Sequence, residues 1–222
     1  MCAEWRLEIE DEGVSAGAWG IVLFCRTASG REAVLKLCAD HARLRAETSA
    51  MLLWAGGPAL GVLAHRPGAL LLQRARPGKP ARLAPSHLAL LLNALHRSAA
   101  GRLGALGDWR SSINNAVKQV PSLQALGREL LREGQGRPVL TLHGDLQPAN
   151  ILYHRGSTAV IDPIGIAGPR ELDVATAALY NDWGEEPTAR ITRLAKLTAT
   201  DPALALRFGQ LSAMYAALAQ RY

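Results

Sequence analysis

The sequence predicts an α+β protein of two lobes, a small strand-rich lobe over residues 1–74 and a larger helical lobe over residues 75–222. Short apolar runs separated by polar breaks dominate the chain as far as Gln73. After Pro85, apolar residues recur at spacings of three and four, which is the periodicity of helices. The Pro77-Gly78 pair marks the break between the two patterns, and 222 residues suffice for two lobes that share a cleft.

The first lobe is predicted to begin with a hairpin. Strand-like segments run from Met1 to about Phe24, and Gly17 and Gly20 lie between two of them. A hairpin of small residues can lie over phosphate groups and offer them backbone N–H groups. A plain hairpin turn explains the two glycines equally well, because no GxGxxG motif can be written around them.

Lys36 is the polar residue of this lobe that most needs an explanation. It lies inside the apolar run of residues 33–38, where its stem can pack but its ammonium group requires a partner. A helix predicted over residues 40–55 places Glu47 eleven residues further on, a distance suited to a strand, a turn and the first helical turns. We expect Glu47 to orient Lys36. The alternatives are an edge-strand lysine and a helical glutamate that both face water.

Two more strands, predicted over residues 60–63 and 69–73, lead to the Pro77-Gly78 break, and the elements beyond it are mostly helices. Apolar spacing places these helices over residues 85–97, 122–133, 174–179, 186–198 and 202–220. Residues 101–121 are irregular at first and then weakly helical. His96 is expected at a helix end, where it would bond solvent or a carbonyl group.

Residues 138–163 form the stretch around which the rest of the chain is organised. A short apolar strand leads to His143-Gly144-Asp145, and a second strand and a polar turn lead to a third strand that ends on Asp162. A hairpin can therefore bring Asp145, Asn150 and Asp162 together. Each of these residues alone could be an ordinary turn or strand-end residue.

Taken together, the three side chains match what phosphoryl transfer requires. One carboxylate can orient the proton of an attacking hydroxyl, and an Asn and a second Asp can supply oxygen ligands to Mg²⁺. The five-residue spacing from Asp145 to Asn150 is also that of a kinase catalytic loop. The order of these residues and their two-strand context favour such a site.

The segments HGDLQPANIL and VIDPIGIAGPRELDVATAAL carry a family resemblance. They resemble the aminoglycoside phosphotransferase family, most closely its streptomycin and hydroxyurea phosphotransferase branch, in which the second motif reads IDP. The resemblance covers most of the chain and is thinnest at the glycine hairpin and over residues 101–121. Gln147 and Ala149 depart from the His and Gly that are common in the family.

This resemblance implies a two-lobed protein-kinase-like fold with ATP between the lobes and Mg²⁺ beside it. By the resemblance, Asp145 is the catalytic base, and Asn150 and Asp162 are the Mg²⁺ ligands. Lys36 would contact the α and β phosphates of ATP, with Glu47 as its partner.

Further roles come from the same resemblance. Backbone groups near Gln73 to Ala75 would form a hinge that meets the adenine edge. His143 and Asp173 would support the catalytic loop. Asp173 stands at the start of a predicted helix, where an N-cap worth about 1 kcal/mol is the common use of Asp, and the two roles are compatible.

The activity implied is transfer of the γ-phosphate to a hydroxyl of a small molecule, first of all an aminoglycoside-type antibiotic similar to streptomycin, with resistance as the result. Aminoglycosides are polycations, so carboxylates are expected in the acceptor pocket. The candidates are Asp108, Asp182, Glu185 and Glu186, each of which could also be a solvated cap or loop residue. The alternatives are a kinase of another hydroxylated metabolite or antibiotic and a nucleotide-binding module without turnover.

Composition narrows the partners and the compartment. The net charge of +6 comes mainly from scattered arginines, and aromatic residues make up only 5%, so stacking surfaces for nucleic acid are missing. Three widely spaced cysteines, Cys2, Cys25 and Cys38, favour a reducing cytoplasm over a disulfide scaffold. No signal peptide is visible and the apolar runs are too short for a bilayer. We expect a cytoplasmic monomer or weak dimer that binds neither membrane nor nucleic acid.

Overall fold

Strand formation at the start of the chain follows the apolar runs of the sequence. The computed structural model describes residues 2–17, 20–97 and 105–219. A short helix, α1 (Cys2–Trp5), precedes five strands: β1 (Glu8–Gly17), β2 (Gly20–Arg26), β3 (Glu32–Leu37), β4 (Val62–Arg66) and β5 (Ala69–Gln73). The strands form one antiparallel sheet in the order β1-β2-β3-β5-β4. β1 and β2 pair as a hairpin with Gly17 opposite Gly20, and its tip, Ala18 and Trp19, lies outside the described residues.

Helix α2, His41–Leu53, connects β3 to β4 along the chain. It begins at Asp40, whose carboxylate accepts hydrogen bonds from the backbone N–H groups of Ala42 at 3.1 Å and Arg43 at 3.0 Å. Such an N-cap satisfies donors that have no partner inside the helix. The apolar face of α2 packs on the sheet through residues that include Leu44 and Met51. The cap and this face together place Glu47 against β3.

The connection between the lobes differs from the predicted Pro77-Gly78 break. These two residues belong to a strand, β6 (Pro77–Pro80), that pairs antiparallel with β9 (Ile151–His154), and β9 pairs with β10 (Ser157–Val160). Because β6 is an edge strand, the missing N–H groups of its prolines are tolerated. The linker is thereby fastened to the hairpin at the centre of the sequence motif.

The remainder of the chain is mostly helical, as predicted. Its helices are α3 (Pro85–Leu95), α4 (Trp109–Gln119), α5 (Gln124–Gly134), α6 (Arg170–Tyr180), α7 (Pro187–Leu197) and α8 (Pro202–Ala219). A small sheet lies among them, with strands β7 (Gly107–Asp108), β11 (Ile166–Gly168) and β8 (Leu140–Leu142) in that order. α6 begins at Arg170, earlier than predicted, with Pro169 in the N-cap position, so Asp173 is not the N-cap of this helix.

One apolar cluster supports the central hairpin from the helical side, and a second cluster packs on strands β8 and β11 of the small sheet. The first contains Ile151 and Val160 of β9 and β10 together with Leu88 and Leu92 of α3. The other is centred on α4 and α8, where the Trp109 and Phe208 rings meet edge to face with centroids 6.0 Å apart. The hairpin strands are therefore buried on this side, and their polar ends are held in fixed positions.

Gly165 marks the point where the segment after Asp162 touches α2. Its φ is +72°, and a Cβ atom on it would lie 2.4 Å from the carbonyl oxygen of Ala46 and 3.2 Å from the backbone nitrogen of Glu47. Backbone atoms cannot yield at such distances, so only glycine allows this approach. The segment after Asp162 is thereby held against the turn of α2 that carries Glu47.

We expect Gly165→Ala to lower the free energy of unfolding by about 2–4 kcal/mol, because the methyl group adds a backbone clash to the cost of a left-handed φ. Gly156→Ala is the matched control, since its φ is +79° and nothing lies within 4 Å of a Cβ there. The control should lose only the conformational cost of about 1–2 kcal/mol. Urea unfolding measures both, and equal losses would contradict the close contact with α2.

Candidate active site

Lys36 of β3 lies at the meeting point of three parts of the chain. Its Nζ donates to Oε2 and Oε1 of Glu47 at 2.7 and 2.9 Å and to Oδ1 of Asp162 at 3.0 Å. The Lys36 and Glu47 residues are 8% and 2% exposed, so neither side chain faces bulk water. The structure thus brings together the lysine, the helical glutamate and the acid that follows β10.

The charges in this cluster depend on one another. Burial lowers the pKa of Lys36, but the carboxylates of Glu47 and Asp162 outweigh burial and leave that pKa above its ordinary value. Burial raises the pKa of Glu47 to about 7, although the charge of Lys36 lowers it. A pKa of about 7 would leave about half of this carboxyl group protonated at neutral pH. The hydrogen bonds favour the ion pair instead, because an ammonium group only donates and both oxygens of Glu47 accept from it.

Asp145 lies on the loop after β8, with its carboxylate held by two amide side chains. Asn150 Nδ2 donates to Asp145 Oδ2 at 2.9 Å and to the Asp145 carbonyl oxygen at 2.8 Å. Gln147 Nε2 donates to the same carboxylate, 3.1 and 3.3 Å from its two oxygens. Sequence reasoning assigned no role to Gln147, and the only indication was its departure from the histidine common in the family.

Asn150 and Asp162 are held side by side by the hairpin. The N–H of Ile161 donates to the carbonyl oxygen of Asn150 at 3.0 Å, next to the β9–β10 ladder in which Ile151 pairs with Val160. Asp162 then adopts a left-handed φ of +56°, which ends the strand. Within the part of the chain that the structure describes, Oδ1 of Asn150 and Oδ2 of Asp162 make no hydrogen bond. These two oxygens are therefore available to a ligand.

Asp173 lies buried beneath the Asp145 loop and accepts three hydrogen bonds. Its Oδ2 accepts from the N–H of His143 at 3.0 Å and from His96 Nε2 at 3.1 Å, and its Oδ1 accepts from the N–H of Gly144 at 2.7 Å. Burial raises the pKa of Asp173, but His96, His143 and the Gly144 N–H outweigh burial and leave the pKa below its ordinary value. His96 ends α3 as expected, yet its partner is this carboxylate and neither solvent nor a carbonyl group.

His143 links the Asp145 loop to the end of β10. Its Nδ1 accepts from the N–H of Asp145 at 3.3 Å, and its Nε2 donates to the carbonyl oxygen of Ile161 at 3.0 Å. These partners define a neutral imidazole with its proton on Nε2. The ring stacks on Trp54 at a centroid distance of 6.1 Å, and burial lowers the pKa of His143 despite nearby carboxylates.

A cavity of about 390 Å³ lies between the first sheet and the central hairpin. Lys36 and Asp162 lie at its polar end, and Gln73 and Ala75 line it at the linker. The N–H of Gln73 already donates to the carbonyl oxygen of Gly61 at 2.8 Å. In the described ranges, the backbone N–H and C=O of Ala75 have no hydrogen-bond partner, so Ala75 is the predicted hinge residue whose backbone can meet a ligand.

A second cavity, of about 750 Å³, opens beside the loop that carries Asp145. Its lining includes Gln147, Tyr180, Asp182 and Arg82. Gln147 donates to the Asp145 carboxylate and is part of this lining, so the cavity lies next to the Asp145 side chain. Burial and the charge of Asp145 raise the pKa of Tyr180.

Of the four acids predicted for the acceptor pocket, Asp182 lies at this second cavity. Asp108 caps α4 by accepting from the N–H of Arg110 at 3.1 Å. Glu185 forms an ion pair with Arg193, and Glu186 occupies the N-cap position of α7. Asp108, Glu185 and Glu186 are therefore better described as helix-cap or surface residues than as residues of an acceptor pocket.

Residues 2–17, 20–97 and 105–219 do not meet the requirements of a metal cluster or of a membrane-spanning helix. No group of three or more His, Cys, Asp or Glu side chains in these ranges could hold a metal ion. Among the same residues, no helix combines the length and the apolar character needed to cross a bilayer. Cys25 and Cys38 are buried, and neither takes part in a disulfide.

Several solved structures share this fold. The macrolide 2'-phosphotransferase MphH from Brachybacterium faecium aligns with a TM-score of 0.65 and 17% identity, over 98% of this chain and 88% of that one. A thermostable mutant of aminoglycoside phosphotransferase APH(4)-Ia, in ternary complex with ADP and hygromycin B, aligns with a TM-score of 0.61 and 18% identity. The alignment covers 99% of this chain and 90% of that one. A choline/ethanolamine kinase family protein from Mesorhizobium loti aligns with a TM-score of 0.66 and 12% identity, over 97% of this chain and 79% of that one. The predicted two-lobed, protein-kinase-like fold is confirmed.

The family to which this chain belongs defines it as a small-molecule kinase. A model of the family described as aminoglycoside/hydroxyurea antibiotic resistance kinase matches residues 5–210, and the chain belongs to that family. The resemblance recognised in the sequence is thereby confirmed. Among curated proteins, none matches the chain significantly.

His143 should make the stability of this site depend on pH. Burial lowers its folded-state pKa below the ordinary value of 6.5, so its contribution is fully present above pH 6.5 and is lost as the pH falls through the folded-state pKa. His143→Gln lacks this titration. The wild type should therefore be more stable than the variant at about pH 7.5, and this difference in unfolding free energy should shrink as the pH falls to about 5. Urea unfolding across this range checks it, and a constant difference would contradict the neutral, buried imidazole.

Proposed function

We propose that this kinase transfers the γ-phosphate of ATP to a hydroxyl group of an aminoglycoside-type antibiotic similar to streptomycin, and so confers resistance. The observation that carries the proposal is the hydrogen-bonded set around the cleft, in which Lys36 contacts Asp162 and Asn150 contacts Asp145. Membership of an antibiotic resistance kinase family supports the class of acceptor.

ATP would occupy the cavity of about 390 Å³ between the lobes. The Lys36 ammonium, oriented by Glu47, would contact the α and β phosphates. Apolar side chains such as Val34 and Leu152 line the same cavity and would pack on the adenine ring. The backbone N–H and C=O of Ala75 would bond the adenine edge, while Gln73 contributes through its side chain.

Asn150 and Asp162 fit Mg²⁺ by the chemistry of their donor atoms. Each has a hard oxygen without a hydrogen bond in the described part of the chain, and the bond from Ile161 to Asn150 keeps them adjacent. Mg²⁺ in phosphoryl-transfer sites is held by one or two protein oxygens together with phosphate oxygens and water, so a third protein ligand is not required. When bound, it would neutralise charge on the phosphates.

Asp145 would act as the base toward the acceptor hydroxyl. Gln147 and Asn150 hold its carboxylate in one direction at the edge of the second cavity, where the acceptor would bind. The acceptor oxygen forms a bond to the γ-phosphorus as the bond to the departing ADP breaks, and the hydroxyl proton passes to Asp145. His143 and Asp173 would position this loop without touching the reacting atoms.

A kinase of another hydroxylated metabolite or antibiotic is the second candidate. The lining of the second cavity favours it, because Asp182 is accompanied there by Arg82 and by no other acid. A polycationic acceptor would gain more from several carboxylates. The acceptor panel below therefore includes neutral and singly charged hydroxylated compounds.

Asp145→Asn is expected to lower phosphate transfer by about 10²–10⁴-fold, since the variant cannot take the hydroxyl proton. Affinity for Mg·ATP should remain close to that of the wild type, because Lys36 and Asp162 are unchanged. Transfer from labelled ATP to streptomycin, other aminoglycosides, hydroxyurea and uncharged hydroxylated compounds measures the first quantity, and calorimetry measures the second.

Asp182→Asn serves as the control, with nucleotide affinity and ATP KM unchanged and a raised KM for a cationic acceptor. Wild-type turnover in Asp145→Asn would exclude Asp145 as the base. A wild-type protein that binds Mg·ATP but phosphorylates no compound of the panel would favour the nucleotide-binding module. Resistance of cells that express the wild type and the Asp145→Asn variant identifies the antibiotic.

A further inference from the structure

A third cavity, of about 340 Å³, lies between α2 and the β4–β5 hairpin and shares no lining residue with the proposed nucleotide cleft. Helix α2 forms one wall, and the end of β4 with the turn into β5 forms the other. Its lining residues are His41, Leu44, Arg45, Thr48, Ser49, Leu52, His65, Arg66, Pro67 and Gly68.

Every ionisable side chain that lines this cavity is basic, namely His41, Arg45, His65 and Arg66. Arg66 forms an ion pair with Glu4 of α1, which compensates part of its charge. Arg45 and the two histidines have no hydrogen bond or ion pair to another residue in the described ranges. The cavity therefore holds one guanidinium charge, that of Arg45, and two imidazole groups that the described part of the protein leaves without a partner.

The hydroxyl group of Ser49 adds a second polar feature to the cavity. Ser49 is 8% exposed and lines the cavity, and its Oγ has no hydrogen-bond partner among the residues that the structure describes. The neighbouring Thr48 hydroxyl, by contrast, already donates to the carbonyl oxygen of Leu44 at 2.7 Å. The Ser49 hydroxyl is therefore available to donate a hydrogen bond to a ligand in the cavity, or to accept one.

The backbone holds the two walls in contact. Helical periodicity places His41, Arg45 and Ser49 on one face of α2, toward the hairpin. At the hairpin tip, a Cβ atom on Gly68 would lie 2.9 Å from Nε2 of His41, so the imidazole closes one end of the cavity against the turn. The basic groups of both walls thus surround one concave space.

We propose that this cavity binds a phosphate group, either as free phosphate or as a phosphate monoester. Guanidinium and imidazole donors from two walls, with a hydroxyl group between them, suit a tetrahedral oxyanion that accepts hydrogen bonds from several directions. Leu52 and Pro67 provide apolar surface for the carbon portion of an ester. Because α2 carries Glu47 on its buried side, the bound phosphate would also hold this helix against β4 and β5.

The test is calorimetric titration of the full-length protein with inorganic phosphate and with glycerol phosphate, against chloride at the same ionic strength. We expect Arg45→Ser to weaken phosphate binding by about tenfold or more, because it removes a charge-assisted donor. Ser49→Ala keeps every charge and should weaken it by about threefold or more. Arg132→Ser, which removes an arginine with a side chain 75% exposed on α5, is the matched control and should bind as the wild type does.

The outcomes separate the sources and the sites. Tighter binding of glycerol phosphate identifies a monoester as the ligand, and equal or weaker binding identifies free phosphate. Binding no stronger than that of chloride overturns the proposal. The proposal is also overturned if Arg45→Ser leaves phosphate binding unchanged while Lys36→Met abolishes it, because the anion would then lie in the nucleotide cleft. Circular dichroism of each variant confirms that losses of binding are not losses of folding.

Discussion

The buried ammonium group of Lys36 is the interaction on which the arrangement of this protein depends. A charge inside a protein is costly unless it is paired, and Lys36 is paired with Glu47 from α2 and with Asp162 from the far end of the central hairpin. The sheet, the helix and the hairpin must therefore come together in one way for this cation to be satisfied. The contact of Gly165 with the backbone of α2 reinforces the same arrangement through shape.

A second buried charge organises the other side of the hairpin. Asp173 holds the backbone N–H groups of His143 and Gly144, and His143 in turn contacts the N–H of Asp145 and the carbonyl oxygen of Ile161. The proposed base and the proposed metal ligands thus belong to one hydrogen-bonded unit. A phosphoryl-transfer site gains from such rigidity, because its chemistry depends on the positions of charges more than on covalent participation.

Much of this site could be predicted because its parts are close in sequence. The order of strand, turn and acid over residues 138–163 is a local pattern, and the structure forms the β9–β10 hairpin there. Lys36 and Glu47 are separated by a strand and part of a helix, so their approach also follows from local geometry. The bond between His96 and Asp173 joins residues 77 positions apart, and nothing near His96 indicates its partner. The same limit applies to Asp108, Glu185 and Glu186, since a cap, an ion-pair partner and a pocket residue look alike in sequence.

The sequence by itself determined the two-lobed fold class, the family and the set of polar residues around which a kinase site could form. Those features rest on periodicity, on turn residues and on short spacings, which act over a few residues along the chain. Only the tertiary structure decided which backbone groups at the linker are free, that Gln147 holds Asp145, and that the basic side chains of α2 and the β4–β5 hairpin share one cavity. Each of these depends on burial and on contacts between distant segments, and such contacts exist only once the chain has packed.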